Sequence, residues 1–187
     1  MGPQLSGFSD SPNKAKDDHK GENNKIRFCA SEMQGWRGNM EDSHIAELDL
    51  GDGNSFFGVF DGHGGPEVAK FVKQHFCKNL INNAAYKRKD YKKALEDTFM
   101  KMDRLMLSDK GKKELRQYME EEAGNQAGYS EYLQSAESQA GCTATVVLLT
   151  GTEIYCANSG DSRTVMCERG HAVELSHDHK PDLPEER

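Results

Sequence analysis

The sequence has little of what a membrane protein, a disulfide-linked protein or a zinc-binding domain requires. No apolar run approaches the ~20 residues that a membrane-spanning helix needs. The five cysteines are odd in number and widely spaced, and the absence of C-x-x-C argues against a disulfide framework and a structural zinc site. We therefore expect reduced thiols and, without a signal-peptide core, a cytoplasmic or nuclear protein. The cysteines are Cys29, Cys77, Cys142, Cys156 and Cys167.

The chain also lacks the excess of positive charge that nucleic-acid binding usually requires. It carries 31 acidic and 24 basic residues, a net charge of −7, which argues against a nucleic-acid partner. Hydrophobic residues make up 35% and charged residues 29%, a balance that favours a soluble protein. The start Met1-Gly2 with Ser6 fits part of an N-myristoylation signal, but Pro3 does not, so an ordinary flexible start is the favoured interpretation.

The 187 residues are enough for one domain with a core. Residues 1–24 are polar and predict a disordered tail, whereas residues 25–187 predict a folded domain. An acidic insertion at about 108–140 is predicted within that domain. Its later part, 117–140, has five Glu and neither Lys nor Arg, and we expect it to be helical at its start and loose after that.

The spacing of apolar residues predicts the strands and helices. Alternating or apolar runs at 43–50 and 55–60, separated by a Gly- and Asp-rich turn, predict an antiparallel hairpin. Helical spacing predicts two helices, one beginning at Pro66 and one at about Asp90, with apolar faces that pack in the core. Residues 143–175 predict a meander of up to four strands.

Four short clusters combine acids, an arginine and a histidine with neighbouring glycines. Carboxylate oxygens suit hard cations such as Mg²⁺ and Mn²⁺, and glycine lets a backbone carbonyl approach a cation. An arginine fork suits a phosphate, and a histidine can protonate a leaving oxygen. Each cluster alone is also explained as a turn or a strand end, so their joint order carries the prediction. The clusters are M-Q-G-W-R-G-N-M-E-D at 33–42, V-F-D-G-H-G-G at 59–65, G-C-T-A at 141–144 and N-S-G-D-S-R at 158–163.

Together with D-H-K-P at 178–181, these clusters resemble the N-terminal motif series of the protein phosphatase 2C family of metal-dependent serine/threonine protein phosphatases. The resemblance covers residues 26–187, and the acidic insertion is the part least like the family. It implies an α+β fold, a β-sandwich of two antiparallel sheets flanked by helices in four layers (α/β/β/α), of which this chain would hold the N-terminal part. It also implies hydrolysis of phosphoserine and phosphothreonine in protein substrates by a metal-activated water.

The resemblance assigns metal roles to five residues. Asp61 would bridge two cations, and Gly62 would offer its carbonyl to one of them. Glu41 would be a ligand directly or through water, and Asp42 would hold waters on the cations. Asp161 would help to hold a further, looser cation. The expected cofactor is therefore Mg²⁺ or Mn²⁺, with two or three ions in the site.

The resemblance also assigns the catalytic roles. Arg37 would grip the substrate phosphate and His63 would act as the general acid, with Asp61 as the third member of the catalytic set. Thr143 would support the site from behind, and residues 178–181 would be structural.

Two further aspartate motifs of the family, D-G-x-W-D and D-N, do not occur, and Trp36 is the single tryptophan. One cation would lose two carboxylates, and cation affinity falls with the number and charge of the ligands. Three explanations stay open. The chain is an N-terminal piece of a longer phosphatase, which we favour; or a second chain completes it; or it is a natural truncated form that binds without turnover.

Two other functions stay open. A catalytically dead binding module would sequester phosphoproteins or a partner through the acidic insertion. A different metal hydrolase, such as a nuclease, is disfavoured by the acidic charge and by the lack of a basic groove.

Overall fold

The computed structural model describes residues 8–124 and 140–186, and these residues contain four α-helices. The Asp90 carboxylate caps one helix by accepting the N–H of Lys93, and the Ser108 hydroxyl caps the next by accepting the N–H of Gly111. The helices predicted to begin at residues 66 and 90 are confirmed, whereas the short helix between them was not predicted. None of the four is long and apolar enough to cross a membrane. They are Glu67–Ile81 (α1), Ala84–Lys87 (α2), Tyr91–Leu107 (α3) and Asp109–Ala123 (α4).

Ten strands occur in the described residues, and every pairing between them is antiparallel. The predicted α+β class with antiparallel sheets is therefore confirmed. The strands are Phe8–Glu22 (β1), Arg27–Arg37 (β2), Ser43–Glu47 (β3), Ser55–Phe60 (β4), Gly62–His63 (β5), Gly141–Cys142 (β6), Ala144–Leu149 (β7), Ile154–Ser159 (β8), Val165–Glu168 (β9) and His171–Glu174 (β10).

A four-stranded sheet in the order β3-β4-β7-β8 forms the centre of the structure. Because successive side chains of a strand point to opposite faces, Phe56 and Phe60 lie on the face that packs against the helices, and both are fully buried. Phe57 and Val59 lie on the other face, where Val59 is 45% exposed. Asp61 follows Phe60 and continues the face of Phe57 and Val59, which places it on the side away from the helices.

The core between this sheet and the helices is centred on Phe76 of α1. Its ring lies 5.2 Å from that of Phe56, 6.0 Å from that of Phe60 and 5.5 Å from that of Phe99 in α3. Full burial of such a ring contributes about 1.5–3 kcal/mol. Since α1 begins four residues after His63, this packing also fixes the loop between β5 and the helix.

Helix α4 belongs to the same helical layer. The Glu114 carboxylate contacts Nε2 of His75 at 2.7 Å and accepts a hydrogen bond from the Tyr118 hydroxyl at 3.1 Å, and Lys70 pairs with Glu122. These contacts hold α4 against α1. The helix expected at the start of the acidic insertion is confirmed. The part expected to be loose includes residues 125–139, which lie outside the described residues.

A second sheet layer covers part of the face away from the helices. The hairpin of β1 and β2 lies there, since the rings of Phe28 and Phe57 are 5.6 Å apart and Nδ1 of His44 lies 3.2 Å from the Glu32 carboxylate. The separate hairpin of β9 and β10 adjoins the same face, where the hydroxyls of Thr145 and Thr164 are 2.7 Å apart.

The disordered tail predicted for residues 1–24 is wrong for Phe8–Glu22, which forms β1 and pairs with β2. The Asn23 carboxamide oxygen accepts N–H bonds from Lys25 and Ile26 and so closes the hairpin. Backbone pairing needs no apolar side chains, and most of β1 is exposed. For this reason the polar composition of residues 8–22 did not predict a strand. Residues 1–7 lie outside the described residues.

The four-strand meander predicted for residues 143–175 is also wrong in one respect. Strands β7 and β8 pair, and β9 and β10 pair, but β8 and β9 share no ladder among the described residues. Gly160 follows β8 with a φ of 101°, a left-handed conformation that suits glycine, and the chain leaves the sheet there.

Candidate active site

Each of the four motif clusters supplies a residue to one row at a single end of the four-stranded sheet. The row consists of Asp42, Asp61, Thr143 and Gly160. Ser43 pairs with Phe60, so the next step along the ladder sets Asp42 opposite Asp61. Residues directly opposite on antiparallel strands have Cβ atoms about 4.5–5.5 Å apart. The register between β3 and β4 thus brings together two carboxylates that are 19 residues apart in the chain.

The row continues across β7 to the end of β8. The backbone N–H of Thr143 donates to the carbonyl of Asp61 at 2.9 Å. The Thr143 and Ser162 hydroxyls are 2.6 Å apart, and a Cβ atom added to Gly160 would lie 2.7 Å from that of Thr143. Thr143 therefore links the D-G-H-G-G cluster to the G-D-S-R cluster.

The carboxyl group of Asp42 faces that of Asp61 across the register, and its pKa is raised. Burial raises the pKa of the Asp42 carboxyl, the charges of Asp61 and Glu32 and the hydrogen bond with Asp61 raise it further, and the Arg37 guanidinium lowers it. The residue as a whole is exposed, so solvent screens part of these effects. Two carboxyl groups this close together favour a shared proton or a bound cation.

Gly62 follows Asp61 and lies against the backbone of Glu41, where a side chain at residue 62 would collide with the Glu41 carbonyl. Asp61 and Thr143 form a hydrogen-bonded pair, so the next pair, Gly62 with Cys142, is a non-hydrogen-bonded one. The Gly62 carbonyl therefore points away from β6. The Glu41 carboxylate accepts a hydrogen bond from the Asn39 carboxamide at 3.0 Å, and the Glu41 backbone lies against Gly62.

Arg37 is the last residue of β2, at the edge of the acidic pair. Its carbonyl accepts a hydrogen bond from the Gln34 carboxamide at 2.9 Å, which holds the backbone at this point. Its guanidinium acts electrostatically on Asp42. His63 is exposed two residues after Asp61, on the same face of the sheet, and pairs across β5 and β6 with Gly141.

Asp161 lies on the exposed loop after β8, and no hydrogen bond or ion pair in residues 8–124 and 140–186 joins its side chain to the other acids. The D-H-K-P segment holds this loop instead. Asp178 accepts a hydrogen bond from Arg163 at 2.8 Å, and the N–H of His179 donates to the Gly160 carbonyl at 2.9 Å. Arg163 holds the pKa of Asp178 below its ordinary value. These contacts fit the structural role expected for residues 178–181.

The donor set can be compared with the needs of a hard cation. No three His, Cys, Asp or Glu side chains within the described part of the chain are placed to hold a metal together. Mg²⁺ in proteins, however, commonly takes one or two carboxylates and keeps several waters. Asp42, Asp61 and the carbonyl of Gly62, which points away from β6, offer such a set, and a cation would neutralise the like charges of the two carboxyl groups. These three residues therefore provide ligands that suit Mg²⁺ or Mn²⁺.

The acidic pair predicts an effect on stability in the absence of metal. Because the folded pKa of Asp42 is raised, the metal-free fold loses stability as the pH rises from about 3.9 through that raised pKa. We expect Asp42→Asn to raise the melting temperature slightly at neutral pH in EDTA and to diminish the stabilisation that Mn²⁺ gives. Thermal melts with and without metal measure both effects.

Asp49→Asn is the matched control with the opposite sign. The N–H groups of Gly51 and Gly53 hold the pKa of Asp49 below its ordinary value, so its charged form stabilises the fold and its loss should lower the melting temperature. A lower melting temperature for Asp42→Asn in EDTA would show that Asp42 does not lie in a like-charge contact.

A cavity of about 690 Å³ lies on the opposite, helical side of the sheet and is not the candidate site. It is lined mainly by apolar side chains of α1, α3 and α4, and Cys142 contributes to its wall. Burial raises the pKa of the Cys142 thiol to about 12, with smaller contributions from the charges of Asp103 and Asp61. The thiol is therefore protonated at neutral pH and is not a nucleophile for phosphate transfer.

Sequence reasoning missed Glu32, whose charge acts on Asp42, and Gly141, which faces His63. The alternation of β2 carries a weak signal for Glu32, because an acid on an otherwise inward face is unusual. Gly141 stands in the G-C-T-A cluster, but nothing in the sequence links it to His63.

The fold matches that of a solved phosphatase. Serine-threonine phosphatase 2C from Toxoplasma gondii superimposes with a TM-score of 0.60 over 96% of this chain and 54% of that chain. At 22% sequence identity, this similarity shows the fold alone.

The sequence comparisons define the family. The family model described as Protein phosphatase 2C matches residues 26–187. "Probable protein phosphatase 2C 2" of Paramecium tetraurelia is 46% identical over 187 residues, which is all of this chain and 57% of the relative. "Probable protein phosphatase 2C 21" of Arabidopsis thaliana is 40% identical over 210 residues, again all of this chain and 58% of the relative. The chain belongs to the protein phosphatase 2C family and spans just over half the length of these relatives.

Proposed function

We propose that this chain carries the N-terminal part of the active site of a Mg²⁺- or Mn²⁺-dependent phosphatase that hydrolyses phosphoserine and phosphothreonine in proteins. The observation that carries the proposal is the register that sets Asp42 opposite Asp61, where the charge of Arg37 also acts on Asp42 and His63 follows two residues after Asp61. Membership of the family supplies the reaction class. The row of motif residues across the sheet supplies the place where that reaction would occur.

Each residue has a distinct task in this proposal. Asp61, Asp42 and the carbonyl of Gly62 would hold the cations, with Glu41 contributing directly or through water. The cations would neutralise charge and supply an activated water. Arg37 offers two parallel N–H donors to the phosphate oxygens and orients the phosphoryl group.

His63 completes the reaction at the leaving group. In its protonated form it gives a proton to the serine or threonine oxygen as the phosphorus–oxygen bond breaks, and the ring is left neutral. Asp161, on the loop tied to Thr143 through Ser162, would help to hold a further cation.

The test is release of inorganic phosphate from a phosphothreonine peptide, with Mn²⁺ and with EDTA, by the 187-residue chain and by a longer form from the same gene. We expect metal-dependent release by the longer form and weak or no release by the 187-residue chain. Metal-independent release, or release from neither form, would rule out the proposal. Duplex DNA as a second substrate separates a phosphatase from a nuclease.

A binding module without turnover is the second candidate. It is favoured by the lack of three metal-holding side chains in the part of the chain that the structure describes. Such a module would retain a phosphopeptide or partner with equal affinity when Asp61 is changed to Asn, and neither form of the chain would release phosphate.

Arg37→Lys is expected to raise KM for a phosphothreonine peptide by about tenfold with a smaller change in kcat. A lysine keeps the charge but loses the paired donors, and a hydrogen bond to a charged group contributes about 1.5–3 kcal/mol. Initial rates over a range of peptide concentrations give both constants.

Arg27→Lys is the matched control, because Arg27 begins the same strand and pairs with Glu22 at the surface. It should leave KM unchanged. If Arg37→Lys also leaves KM unchanged, Arg37 does not bind the phosphate.

A further inference from the structure

Gly141 and His63 face each other across the two-residue ladder of β5 and β6. His63 pairs with Gly141, and Gly62 pairs with Cys142. A Cβ atom added to Gly141 would lie 2.5 Å from Nε2 and 2.9 Å from Cε1 of the His63 ring. These distances are far shorter than a van der Waals contact, so the imidazole occupies the space that a side chain at residue 141 would need.

The backbone itself does not require glycine at this position. Gly160, in the same row of motifs, has a φ of 101°, whereas Gly141 lies outside the left-handed region. Any residue could adopt the backbone of Gly141 without strain. The space taken by the His63 ring is therefore the reason that the structure offers for a glycine here.

The ladder fixes the ring relative to the acidic pair. The N–H of Thr143, two residues after Gly141, donates to the carbonyl of Asp61, two residues before His63. The ring of His63 and the carboxyl group of Asp61 therefore stand on one face of a short antiparallel segment, held at one end by that hydrogen bond.

We propose that Gly141 is a positioning residue for His63. Because Gly141 has no side chain, the Nε2 and Cε1 edge of the imidazole packs against its Cα atom. This contact sets the direction from which the ring delivers its proton. The inference rests on the proposed role of His63 as general acid. A methyl group at residue 141 would push that edge away from β6. Proton transfer needs a heavy-atom distance of about 2.6–3.2 Å, and a misplacement of about 1 Å costs about a hundredfold in rate.

The contact is tested without any turnover, by NMR on the 187-residue chain. We expect nuclear Overhauser effects between the His63 ring protons and the Hα protons of Gly141, together with a ring-current shift of one of those Hα protons. In His63→Ala the shift should disappear. If the unsubstituted chain shows neither the Overhauser effects nor the ring-current shift, the inference is overturned.

A double-mutant cycle separates the ring from the backbone. Gly141→Ala should lower the melting temperature by a small amount in the presence of His63, because the exposed ring can turn away, and should cause no loss in the His63→Ala background, where the space is vacant. Gly151→Ala is the matched control, since a Cβ atom there meets nothing within 4 Å. An equal loss in both backgrounds would mean that the His63 ring is not what glycine accommodates, and it would overturn the inference.

The kinetic test compares two substrates with different leaving groups, using a form of the protein that hydrolyses phosphopeptides. A threonine oxygen must be protonated as it leaves, whereas the nitrophenolate of p-nitrophenyl phosphate leaves without a proton. Gly141→Ala should lower kcat for the phosphothreonine peptide about a hundredfold and kcat for p-nitrophenyl phosphate much less. Equal losses on both substrates would overturn the inference.

The failure of the proposed function would be distinguishable from the failure of this inference. If no form of the protein hydrolyses the peptide, the proposed function is wrong, but the NMR contact and the melting cycle still decide whether Gly141 positions the ring. If the peptide is hydrolysed and the ring contact is absent, the function stands and the role of Gly141 is wrong.

Discussion

Replacing Asp61 by asparagine is expected to reduce metal-dependent phosphate release by roughly a thousandfold or more, since bound cations supply several kcal/mol of transition-state stabilisation. Asp61 sits in the centre of the row, opposite Asp42 on one side and bonded through its carbonyl to Thr143 on the other. The amide keeps the shape of the side chain but removes its charge. Cation affinity depends on ligand charge, so both binding and rate should fall together.

Phosphate release as a function of Mn²⁺ concentration measures this effect. The substitution is made in a form of the protein that is otherwise active. Asp52→Asn is the control, because Asp52 lies in the turn at the other end of the same hairpin. Asp61→Asn should not destabilise the metal-free fold, since it removes one of two like charges. A rate within tenfold of the unsubstituted protein would show that the acidic pair does not hold the catalytic metal.

Replacing Phe76 by alanine should give the largest loss of stability among single substitutions in the helical layer, about 3–5 kcal/mol. Phe76 is 1% exposed and its ring touches those of Phe56, Phe60 and Phe99. Its removal leaves a cavity between the sheet and α3 that rigid neighbours fill only in part. Since domains are stable by about 5–15 kcal/mol, such a loss brings the fold close to its limit.

Urea unfolding followed by circular dichroism measures this loss. Leu107→Ala is the control, because Leu107 is a large apolar residue at the end of α3 that is 72% exposed, and its truncation should change the free energy of unfolding by less than about 0.5 kcal/mol. A loss for Phe76→Ala as small as that of the control would mean that α1 does not pack on β4 through this ring.

The sequence identifies the motif residues but not the geometry that unites them. Asp42 and Asp61 are recognisable as strand-end acids, yet their contact depends on the register of β3 against β4, which is set by the whole hairpin. Arg37 is brought to the same place by β1 and β2, and β1 falls where polar composition predicts a disordered tail. Local sequence patterns predict elements that bury apolar side chains. A strand such as β1, which pairs through its backbone and stays mostly exposed, has no such pattern.

The helices show the opposite case. The capping residues Asp90 and Ser108 and the apolar spacing of α1 and α3 are local features, so these helices can be predicted from sequence. The contact between His63 and Gly141 joins residues that are 78 positions apart through a two-residue ladder. No local sequence pattern predicts that pairing.

The row of motif residues across four strands has a consequence for where the chain tolerates change. The turns that join β3 to β4 and β7 to β8 lie at the far end of the sheet from the row, and Gly51, Gly53 and Gly151 are exposed there. Extra residues inserted in these turns would leave every cross-strand pairing in place. A single residue inserted inside β4 would instead reverse which face Asp61 occupies. The far turns are therefore the natural attachment points for a fluorophore or an affinity tag, and the strands themselves admit substitution but not change in length.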